Sequence, residues 1–187
     1  RWYVVITAKR GVRIDDATAA HRLVAAQALR FPGAGLGDRL SRLLGEIGAV
    51  AKMIMTIEQG PPFPMANPGD DLAEALFEVI RAAGCVAPDH QLTLRLPHPQ
   101  NYRQVSDPYM LLGLLTQAGG ALAQIVDEGA RADDPADVGA AGTEGASAVD
   151  LVIVRALALV EHYGLRHVLR SVIQRTYRMD QNEGFLR

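Results

Sequence analysis

LGDRLSRLLGEIGAVAKMIMT, residues 36–56, decides the fold class. Leu36, Leu40, Leu43, Leu44, Ile47, Val50, Ala51, Ile54 and Met55 recur there at three- and four-residue spacing, which lays them along one side of an α-helix and predicts that this side is buried. Gly45 and Gly48 weaken the intrinsic helical preference without breaking the pattern.

Helical periodicity continues on both sides. A helix is expected to begin near Asp15 or Asp16, with Leu23, Val24, Ala28 and Leu29 as its apolar side, and to stop at Phe31-Pro32-Gly33. After the central helix, QGPPFPMANPGDD (59–71) carries four prolines and two glycines and reads as a loop, since neither a helix interior nor a central strand tolerates that proline density. Asp70 or Asp71 is expected to cap the next helix, whose apolar positions Leu72, Leu76, Val79 and Ile80 run toward Gly84. Asp107-Pro108 supplies an acidic N-cap and a proline at the first helical position, predicting a helix from there to about Asp127. Gly113, Ala118, Gly119, Gly120 and Ala121 give that helix low relief, so that another helix can approach closely.

Residues 129–148 are mostly Gly, Ala, Asp and Glu, with Pro135, and read as an excursion without a core of its own. The last long element is expected over 149–179, with Gly164 as its interruption. Two short stretches read as strands. WYVVIT (2–7) is aromatic and β-branched, and Leu92, Leu94 and Leu96 alternate with polar residues; the two strands would need each other or a helix face to persist. The expectation is therefore a mainly α chain: an irregular bundle of four to five helices with a small two-stranded β element near the N-terminus, forming a single domain over 1–187.

Composition narrows function without naming it. The 187 residues carry 19 basic and 21 acidic side chains, a net charge of -2, so no global field recruits nucleic acid or an anionic membrane. The basic residues are all arginine except Lys9 and Lys52. Cys85 is the sole cysteine, which excludes an intrachain disulfide and suits a reducing compartment, with the cytoplasm as the expected location. Following Gly84 at a helix end, it is expected to be an inert, partly buried thiol. The chain opens on Arg1 without a methionine, so the native start is expected upstream or a leader has been removed. The uncharged stretch 108–126 approaches the length of a membrane span, but Thr116, Gln117, Gln124 and the Gly119-Gly120 pair fit a bundle helix better, and no membrane partner is expected.

Chemical motifs are sparse. Gly33-x-Gly35-x-Gly37 follows a helix end rather than a strand, so it reads as a helix-helix turn with glycine supplying positive φ, not as a dinucleotide fingerprint. The histidines form no metal-binding pair: His162 and His167 are five apart, roughly 140° around a helix. No metal and no cofactor is expected, and no G-x-S-x-G is present.

Two regions remain as candidates. Arg166, Arg170, Arg175 and Arg178, with Gln174 between the pairs, occupy an acid-free C-terminal helix segment able to contact nucleic-acid phosphates or a partner. His98, Tyr102 and Arg103 lie in a polar, proline-flanked loop able to hold an anion or a small carboxylate substrate. The reading is a non-enzymatic subunit or adaptor of a multiprotein assembly, with protein partners and contingent nucleic-acid contact. The alternative is a small-substrate enzyme or anion-binding protein using the 97–103 loop.

Overall fold

The structure is a computed structural model describing residues 22–23, 33–60, 67–87, 107–131 and 135–184. Five helices occur among the described residues: α1 (Leu36–Gln59), α2 (Pro68–Val86), α3 (Pro108–Arg131), α4 (Pro135–His162) and α5 (Arg166–Asn182). They form an irregular, mostly helical bundle. No strand occurs among the described residues, and the expected strands at 2–7 and 92–96 lie outside them. Of the expected first helix, Arg22 and Leu23 are described; both are helical, and Leu23 is fully buried.

Central position falls to α2, which packs on α1, α4 and α5, while α3 lies along α4 and touches α1. One apolar cluster joins all five helices, including Leu43, Ile47, Val50 and Ile54 of α1, Leu72, Leu76 and Phe77 of α2, Leu111, Leu115 and Leu122 of α3, and Val152, Ile153 and Leu157 of α4. From α5 come Leu169, Val172, Ile173 and Tyr177. Truncating any of the large fully buried members to alanine is expected to cost about 2–5 kcal/mol.

Helix boundaries follow local chemistry. The Gly35 N–H donates to the Asp38 carboxylate at 3.0 Å, half of a capping box at the start of α1. None of Gly33, Gly35 and Gly37 has positive φ, contrary to the expected glycine turn; Gly35 is extended at φ -68, ψ 170. At α3, the Tyr109 N–H donates to Asp107 Oδ1 at 2.9 Å and Pro108 takes the first helical position, as the Asp-Pro pair predicts.

Two boundaries differ from expectation. The proline-rich loop ends earlier than its composition suggests: Pro68 begins α2, so Asp70 and Asp71 sit in the first turn instead of capping it. Proline lacks an N–H, and the first-turn N–H groups have no intrahelical partner anyway, so this position costs nothing. The excursion at 129–148 is also corrected, since α3 runs to Arg131 and α4 starts at Pro135. Alanine has the highest helix preference, Pro135 again sits at a first position, and the segment continues into the apolar run from Val149, against which α3 packs.

The break at Gly164 occurs where expected. Gly164 has φ +67, the Leu165 N–H donates to the Val160 carbonyl at 2.8 Å, and the Gly164 N–H to that of Glu161 at 3.2 Å. This pair of bonds is a Schellman ending, with buried Val160 and Leu165 as its apolar contact.

Candidate interaction surfaces

The arginine segment forms α5, which packs its apolar stripe on α2 and is tied by charge to α4 and α2. Arg166 donates through Nε and Nη2 to Oε1 of Glu161, at 2.8 and 2.6 Å. Glu161 is only 3% exposed, so its carboxylate depends on that guanidinium for compensation. Arg175 pairs with Glu74 of α2. Arg170 and Gln174 are half-buried, and Arg178 is exposed. The Arg166 and Arg175 guanidiniums are thus engaged with carboxylates of this same chain. His98, Tyr102 and Arg103 lie outside the described residues.

A second ionic group was not anticipated from the sequence. Glu78 on α2 accepts from Arg42 of α1 at 3.3 Å and from Arg81 at 2.8 Å, and Arg81 reaches Asp180 of α5 at 3.6 Å. Arg81 and Asp180 are both buried. The network joins three helices beside the end of α2, where Arg39 of α1 also donates to the Cys85 carbonyl at 3.2 Å. Its sequence signals are an arginine within the otherwise apolar run VIRAAGCV and Glu78 three residues before it on the same helix. Burial pushes the Glu46 carboxyl above its usual range, reinforced by Glu78 and opposed by Arg42 and Arg81. Burial likewise raises the Cys85 thiol, against the pull of Arg42, Arg81 and Arg39.

Between the first turn of α2 and α5 lies an open groove of about 360 Å³, lined by Asp70, His167, Val168, Ser171, Val172 and Arg175. Asp70 accepts from Asn67 Nδ2 at 2.6 Å, and Ser171 Oγ donates to the His167 carbonyl at 3.2 Å. At the far end of α1, Tyr163 donates to Glu58 Oε1 at 2.8 Å; burial and that bond raise the phenol well above its ordinary range. No group of three or more His, Cys, Asp or Glu able to hold a metal occurs among the described residues.

Four of the exposed large hydrophobics among the described residues, Leu44 and Met55 of α1 and Tyr109 and Met110 of α3, lie on these two neighbouring helices. Over Pro108–Gly129 the mean hydropathy reaches 1.4, yet 28% of that window is buried. Leu111, Leu115, Ala118 and Leu122 face the core, while Tyr109, Met110, Gly113, Gln117, Gly120, Ala121 and Gln124 are exposed. No charged residue occurs from Pro108 to Val126. Length and composition alone would let this helix cross a membrane, but its buried stripe against α4 and α1 is that of a helix at the rim of a bundle.

The adjoining part of α1 corrects the expected fully buried side. Leu43, Ile47, Val50 and Ile54 are buried, whereas Leu36, Leu44 and Met55 are exposed. The apolar arc of α1 is wider than its contact with α2 and α3. Close approach of α1 and α3 occurs at Gly119, as the small residues suggest: a Cβ there would lie 2.5 Å from Ile47 Cδ1 and 3.7 Å from Leu44 Cδ2. Gly113 and Gly120 have open space instead and take no part in it.

No protein-family model, curated protein or solved structure matches the chain.

Proposed function

We propose that this chain is a non-enzymatic helical subunit or adaptor that docks a protein partner along the outer side of α3 and the adjoining edge of α1. The observation that carries the reading is the uncharged 108–126 stretch of α3, with Tyr109 and Met110 exposed, beside exposed Leu44 and Met55 of α1. Clustered exposed hydrophobics on a folded protein mark interaction sites more often than scattered single residues do. Phosphate contact through α5 has weaker support, because nucleic acid would compete with Glu161 for Arg166 and with Glu74 for Arg175.

The test is affinity capture of the tagged chain and of a Met110→Asp/Ala121→Asp variant. Both positions are exposed on α3, so the variant is expected to keep the far-ultraviolet helical signal and nearly unchanged stability. The reading predicts a stoichiometric partner with the wild-type chain that the folded variant loses. A partner retained by the variant, or a wild-type chain recovered without any partner, overturns it.

A further inference from the structure

We draw no further inference here: the strongest candidate, the open groove between the first turn of α2 and α5 lined by Asp70, His167, Ser171 and Arg175, has its two charged ends already held by Asn67 and Glu74, and nothing in it points to a ligand.

Discussion

Arg81 of α2 and Asp180 of α5 are both buried, with guanidinium and carboxylate 3.6 Å apart. Arg81 also holds Glu78, which in turn holds Arg42 of α1, so one buried cation links helices that are distant in sequence. Removing one partner of a buried pair strands the other charge, while replacing both with apolar residues is often close to neutral. Arg81→Leu is therefore expected to destabilise the fold by about 3–5 kcal/mol, and Arg81→Leu/Asp180→Leu by clearly less. Urea unfolding of both variants measures this; a double variant at least as destabilised as Arg81→Leu alone would remove the pair from the account.

The contact of Gly119 with Ile47 is specific enough for a double-mutant cycle. Gly119→Ala gains about 1 kcal/mol of helix preference but must displace the buried Ile47 Cδ1. A net loss of about 1 kcal/mol is expected in the wild-type background. Ile47→Val deletes that methyl group, so in its background Gly119→Ala should be neutral or stabilising, with a coupling of about 1 kcal/mol between the sites. Additive effects would mean that α1 and α3 do not meet there.

Glu46 makes a pH prediction. Its folded-state pKa is raised by burial, so between the ordinary carboxyl value of 4.5 and that raised value the folded chain binds more protons than the unfolded one. Its contribution to stability therefore falls as pH rises through this window and stays unfavourable above it. Glu46→Gln is expected to match or exceed wild-type stability at pH 7, by less than about 1 kcal/mol, with the difference closing below pH 4.5. Thermal unfolding across pH 4–8 reads it out, and a variant less stable at neutral pH contradicts the sign.

Cys85 is expected to react slowly with iodoacetamide at pH 8 in the native chain and rapidly in denaturant. Burial lowers both the access of the reagent and the thiolate fraction, and the three nearby arginines do not overcome it. Equal labelling rates in the two conditions would place the thiol outside the core.

The helical class was legible because Ile47, Val50 and Ile54 repeat at the period of the helix that buries them, and because Asp107-Pro108 and Gly164 carry local stop and start chemistry independent of tertiary context. The start of α4 at 135–148 is not announced by its sequence, since alanine and glycine show no periodicity; α4 as a whole packs against α3. Sequence spacing also assigned Leu44 and Met55 to the core; periodicity finds an apolar arc but not how much of it neighbouring helices cover. The salt bridges of Arg166, Arg175 and Arg81 were illegible for a different reason. Arg175 pairs across helices and Arg81 reaches Asp180 across helices, whereas its pair with Glu78 is an i,i+3 contact within α2; the five-residue separation of Glu161 and Arg166 brings them together only because the chain turns at Gly164.

Three methionines of nearly equal exposure provide the most direct test of the docking surface: Met55 at 47%, Met110 at 52% and Met179 at 51%. The first two lie on the α1–α3 surface and the third on α5. Oxidation by dilute peroxide, followed residue by residue by mass spectrometry, should be similar for all three in the isolated chain. In the partner-bound complex, Met55 and Met110 should be protected while Met179 still oxidises; equal oxidation of all three in the complex would contradict the assignment.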